Sequence, residues 1–154
     1  MADRELDFTE FEGLASEVLA TGSALRFQVR GTSMSPFIRN GDIVEVEAIS
    51  PGNLRPGQVI LCRLSGGRLV VHRVVKVLLD VLQVQGDALL YSDGLVGFSS
   101  VLGRVTSINR GSNQISLDSF AYNLFIRLWL WLTPVRRYLF RVIRLFRTIF
   151  RLFA

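Results

Sequence analysis

The sequence predicts a mainly β protein: a small, coiled antiparallel sheet or barrel-like body with a short N-terminal helix and C-terminal amphipathic helices. Three observations carry this reading. Residues 25–118 break into short runs rich in β-branched residues, several of them alternating apolar and polar. Turn material separates the runs by only a few residues, so neighbouring strands connect closely. After Asp118 the acids stop, and arginines recur among Phe, Leu and Ile at helical spacing.

The elements follow in chain order. Residues 1–24 form one unit, in which Leu6, Phe11, Leu14, Val18 and Leu19 recur at near-helical spacing and Gly22 ends the pattern. Residues 25–118 form the body, with strands expected in "LRFQVR", "DIVEVEA", "QVILCRL", "RLVVHRVVKV", "VLQVQ", "VLGRVTSI" and "QISL". "SPGNLRPGQ", "SGGR", "GDALLYSDG" and "NRGSN" read as the turns between them, and Gly66-Gly67 as the tip of a hairpin. Residues 119–154 form a helical tail.

Length and charge narrow the function classes. A chain of 154 residues suits one compact domain with an appendage. Of its 18 basic residues, seven arginines follow Asp118, which leaves 11 against all 13 acids in the body. The basic balance therefore belongs to the tail, and it suggests contact with an anionic surface. No secretory signal is expected at the start: residues 1–17 hold six acids and one arginine, without an apolar core. The single Cys62, within "VILCRL", cannot form an internal disulfide and reads as a buried strand residue. One His and one Cys offer no zinc set, and "GTSMSPF" lacks the lysine of a phosphate loop. No cofactor and no metal are expected.

Chemistry, if present, falls to Ser33 in "GTSMSPFIRNGD". A serine hydroxyl needs an adjacent base to act as a nucleophile near neutral pH. His72 is the sole histidine and Lys76 the sole lysine; both lie in "RLVVHRVVKV", and period-two counting puts them on one face. Asp87 and Asp93 sit in the turn stretch "GDALLYSDG" that follows "VLQVQ".

Four blocks in this order resemble the serine peptidases of the signal-peptidase and LexA-type clan, most of all the endoplasmic-reticulum and archaeal type signal peptidases. They are Ser33-Met34 with Pro36 and Gly41-Asp42; Pro56-Gly57-Gln58 before an apolar strand; His72-Arg73-Val74-Val75; and Gly86-Asp87 followed by Asp93. The resemblance covers roughly residues 27–105 and implies a signal-peptidase-type β core. It implies Ser33 as nucleophile, His72 as general base where bacterial members carry Lys, and Asp87 or Asp93 as the carboxylate that supports the imidazole. It does not choose between the two acids. Gly31 stands where many signal peptidases have a serine that helps hold the oxyanion, so backbone N–H groups around Ser33 are expected to do so.

The implied activity is that of a membrane-associated serine endopeptidase that removes a leader or signal segment from a precursor peptide through an acyl-enzyme. The other readings are an inactive, tail-anchored binding module on the same fold, or a LexA-like self-cleaving regulator. The chain has no Ala-Gly pair of the kind such regulators cut. Arg137, Arg141, Arg144, Arg147 and Arg151 share one helical face, with Phe, Leu and Ile over most of the rest. That pattern suits a helix lying in a bilayer interface, so residues 120–154 are expected to bind membrane lipid. The aromatics fall on an apolar face and form no stacking platform for bases, so no nucleic-acid partner is expected. The expected location is the membrane, at its cytoplasmic face.

Overall fold

In the computed structural model, residues 8–89 and 91–131 are described. The expected helical tail therefore lies beyond the described residues from 132 onward, arginine stripe included.

Helix α1 spans Phe8–Ala20. It buries Ala15 and Leu19 against the sheet and sets Phe11 edge-on to Phe27 at 5.1 Å. It stops where Gly22 turns into the left-handed region at φ +79°, a conformation glycine adopts freely. Eight strands follow: β1 Leu25–Gln28, β2 Ile43–Glu47, β3 Val59–Arg63, β4 Leu69–Val77, β5 Val81–Gln85, β6 Gly94–Gly97, β7 Val101–Arg110 and β8 Asn113–Ser116. Helix α2, Phe120–Trp131, closes the described chain; Ser119 Oγ accepts the Tyr122 N–H at 3.2 Å and caps its start.

All the strand pairs are antiparallel, and the sheet runs β1-β2-β7-β3-β4-β5-β6, with β8 also on β7. The expected mainly β, antiparallel body is what forms. Its seven anticipated strands are joined by β6, a short "GLVG" segment that sequence pattern alone leaves as turn material. Strand β7 is the spine. Its first residues pair with β3 and its later ones with β2, with Arg104 opposite both Ile60 and Glu47.

Two apolar clusters occupy opposite faces of this coiled sheet. Val59 and Leu61 join Ala15, Leu19, Val44, Val46, Val105 and Ile108 in one. Ile60 and Cys62 join Val74, Leu82, Val84 and Val96 in the other. Strand β3 is thus buried on both sides, which is why it reads as the unbroken apolar run "VILC" rather than an alternating one. Helix α2 adds the buried Ile126 to the outside of the body, beside Gly57.

Candidate active site

The loop between β1 and β2 carries Ser33, and its ends are stitched before any catalytic geometry is set. Val29 N–H donates to Asp42 C=O, and Gly41 N–H donates back to Val29 C=O, both at 2.9 Å. Gly31 N–H donates to Asn40 Oδ1 at 2.9 Å across the loop. The buried Asp42 carboxylate accepts the Arg39 N–H at 2.8 Å and the Arg110 guanidinium at 2.9 and 2.7 Å. Hydrogen bonding from Arg110 outweighs burial and holds the Asp42 carboxyl below its ordinary range. Arg110 also donates to Phe37 C=O at 2.8 Å, so β7 fixes the loop from outside. The Gly-Asp pair of the motif is thus a clasp for the serine loop.

Within the loop, the Ser35 N–H turns back to Thr32 C=O, and those of Phe37 and Ile38 to Met34 C=O. Among the described residues the N–H groups of Ser33 and Met34 have no acceptor. Met34 itself is buried and anchors the turn in the core.

His72 lies mid-strand in β4, opposite Ile60, and is 2% exposed. Its Nε2 is 3.3 Å from Ser33 Oγ. On the other side of the ring, Asp93 Oδ2 stands 3.1 Å from Nδ1, off the line of an N–H hydrogen bond but close enough to pair with the ring once it is protonated. Burial lowers the affinity of His72 for its proton; Arg68 adds to this, and Asp93 and Asp87 oppose it. The balance favours the neutral ring, the form in which an imidazole can accept a proton.

The chain leaving β5 turns at Gly86 and links the groups. Gly86 N–H donates to Asp93 Oδ2 at 3.0 Å, and Ala88 N–H donates to Ser33 C=O at 2.8 Å. A Cβ on Gly86 would fall 2.7 Å from Ser33 O, so only glycine allows this approach. Asp87 goes elsewhere: Arg73 donates to it from Nε at 2.8 Å and from Nη2 at 2.7 Å in a buried, two-pronged pair. Arg73 also donates to Gly57 C=O at 2.6 Å and to the Tyr122 hydroxyl at 3.2 Å. Of the four site residues expected from sequence, the structure gathers Ser33, His72 and Asp93 in series. It sets Asp87 beside them as the partner of Arg73.

Two expectations about neighbouring residues resolve differently. Cys62 is fully buried, and desolvation, with Asp93 adding, pushes its thiol up to about 12, so it is an inert strand residue. Lys76 does not share a face with His72. The pairing of β4 with β5 slips between Val74 and Lys76, where Val74 faces Val84 and Lys76 faces Gln83. The extra residue, Val75, is a β-bulge, and it reverses the parity of the strand. Val70 and Val74 before it and Val77 after it accordingly lie in one cluster, and Lys76 is exposed.

Sequence reasoning missed Arg73, Arg110 and Tyr122. A charged residue inside an otherwise apolar strand was the available signal for Arg73, since such a charge requires a buried partner. Nothing local marks Arg110 or Tyr122.

A hydroxyl, an imidazole and a carboxylate in series, on an antiparallel β body, define a serine-hydrolase type of site. The family model for Peptidase S24-like proteins matches residues 3–92. That is more than half of the chain, which belongs to this family and so to the LexA/S24 clan of serine peptidases. No curated protein matches the chain.

Proposed function

We propose that the protein is a membrane-associated serine endopeptidase that cuts a leader or signal segment from a precursor peptide. The observation that carries this reading is the series Ser33 Oγ, His72 Nε2, His72 Nδ1 and Asp93 Oδ2, at 3.3 and 3.1 Å, in a member of a serine-peptidase family. In it Ser33 is the nucleophile, His72 the general base and Asp93 the carboxylate that favours the imidazolium.

The chemistry runs in two halves. Ser33 Oγ attacks the scissile carbonyl carbon while its proton passes to His72 Nε2. The carbonyl oxygen becomes an oxyanion that the free N–H groups of Ser33 and Met34 are suited to meet. His72 then gives the proton to the leaving amine, the C–N bond breaks, and an ester on Ser33 remains. Water attacks that ester, His72 takes its proton, and the acid product leaves as Ser33 regains a hydrogen. The Ser33–His72 separation of 3.3 Å is long for a hydrogen bond and suits a free enzyme whose contacts tighten on substrate.

Membrane association is supported by the outer side of α2. Phe120, Leu124, Leu128 and Trp131 recur along it, and they are 83%, 59%, 50% and 75% exposed. Seven arginines and no acid follow Asp118, which fits an anionic lipid surface. No helix among the described residues is long and apolar enough to cross a bilayer, and the proposed mode is a helix lying along the surface.

The test is labelling of the full chain with a fluorophosphonate in anionic vesicles, followed by peptide mapping. The reading expects a single adduct on Ser33 that His72→Ala removes. An unlabelled Ser33 speaks for the inactive binding module, and conversion of the chain into two fragments on incubation speaks for a self-cleaving regulator.

A further inference from the structure

We infer that helix α2 is a positioning element of the peptidase site, acting through Tyr122 on Arg73. The inference rests on the roles given above to Ser33, His72 and Asp93. It starts from strand geometry. Arg73 directly follows His72 in β4, so the two side chains leave the strand on opposite faces. His72 meets Ser33 and Asp93; Arg73 meets Asp87 and α2.

The two faces are rejoined by the turn at Gly86. Asp87 lies between Gly86, whose N–H holds Asp93, and Ala88, whose N–H holds Ser33 C=O. The grip of Arg73 on Asp87 therefore sets a turn that touches both the nucleophile and the acid. A guanidinium held only by Asp87 could pivot about that pair. Here two of its other donors are held as well, by Gly57 C=O and by the Tyr122 hydroxyl. The guanidinium also faces the rings of Phe37 and Tyr122, at 5.2 and 5.9 Å.

Helix α2 also reaches the serine loop directly. Phe37, four residues after Ser33, packs against Tyr122, Phe125 and Trp129, with ring centroids 6.3, 5.7 and 4.9 Å away. Gly57 makes room for this seat: a Cβ there would stand 3.2 Å from Ile126 Cγ2, at a backbone φ of +97°. One helix thus holds the loop that carries the nucleophile and the arginine that fixes the opposing turn. Its docking aligns Ser33 with His72 and Asp93.

The experiment measures two quantities on the full chain in detergent: the rate at which excess fluorophosphonate acylates Ser33, and the final fraction acylated. Tyr122→Phe keeps the ring and loses the hydroxyl; Tyr122→Ala loses both. The expected result is an unchanged final fraction, with a rate lower by roughly threefold to tenfold in the first variant and by about 100-fold in the second. A merely structural role gives the reverse pattern, a smaller fraction reacting at the parent rate, and overturns the inference. Parent rates in both variants overturn it too. Should Tyr122→Ala not fold, Tyr122→Phe decides. An unreactive Ser33 in the parent chain instead sinks the peptidase reading, and this inference with it.

Discussion

Asp93 Oδ2 approaches His72 Nδ1 to 3.1 Å while the same oxygen accepts the Gly86 N–H at 3.0 Å, so one carboxylate oxygen serves both the imidazole and the turn beside the nucleophile. Asp87, six residues earlier, accepts from Arg73 with both of its oxygens. The two acids therefore fail differently when altered. Asp93→Asn should keep the fold and lower turnover by about 10²- to 10⁴-fold, because the imidazolium loses its countercharge. Asp87→Asn strands a buried guanidinium and should cost about 3 kcal/mol or more of stability. Turn preference alone would pass Asn at either position. Thermal melts and Ser33 acylation rates, taken on both variants, separate the two roles.

The pH profile follows from the buried imidazole. His72 must be neutral to accept the Ser33 proton, and burial moves its titration below the ordinary 6.5. Activity should therefore persist into mildly acid solution and fall only as pH drops through that lowered value. Lys76→Ala should leave the profile in place, since Lys76 faces away. A rate that rises only above about pH 8 would assign the base to a lysine and reject His72.

Gly86→Ala probes the approach of the turn to the serine loop. The new methyl would meet Ser33 O at 2.7 Å, with backbone on the other side of the contact and no side chain free to swing away. The turn must shift by several tenths of an ångström, which moves the N–H groups that hold Asp93 and Ser33. We expect a loss of acylation rate of about 100-fold. Strand content by circular dichroism should stay near that of the parent. A variant with parent activity would show the approach to be looser than drawn.

Acid should loosen the clasp of the serine loop. The Asp42 carboxyl titrates below its unfolded value through Arg110, so its stabilisation is complete above the unfolded pKa and is lost as pH falls through the folded one. Asp42→Asn should remove about 1–3 kcal/mol at neutral pH, the worth of hydrogen bonds to a charged group. The gap between variant and parent should close once the parent's Asp42 is protonated in the folded as well as the unfolded state. Urea unfolding at neutral pH and at a series of pH values descending from the unfolded carboxyl value of about 3.9 provides the comparison.

Most of the β body is legible in sequence because its forces are local. Alternation marks β2, an unbroken apolar run marks β3, and glycine pairs mark the hairpin tip between β3 and β4. Strand β6 escapes because four residues flanked by glycine carry too little pattern, and it is held by pairing with β5 rather than by propensity. The position of Lys76 misleads because a bulge is a property of two strands in register, invisible in either one. The site divides in the same way. Ser33 and His72 announce themselves by residue type, whereas the difference between Asp87 and Asp93 depends on where Arg73 points. The docking of α2 is hidden for another reason: a helix apolar on most sides gives no hint of which side meets protein.

The role of β7 as spine bears on the order in which the chain is made. The β1–β2 hairpin, with Ser33 at its tip, joins the sheet along the β2–β7 ladder, whose pairs run from Ile43↔Asn109 to Glu47↔Arg104. His72 and Asp93 belong to the other half, which reaches the same strand through β3. In chain order Ser33, His72 and Asp93 all precede β7, the strand that joins their two halves of the sheet, and the family match itself stops at residue 92, short of that strand. The groups proposed to react therefore exist before the strand that unites them, and their alignment waits on β7.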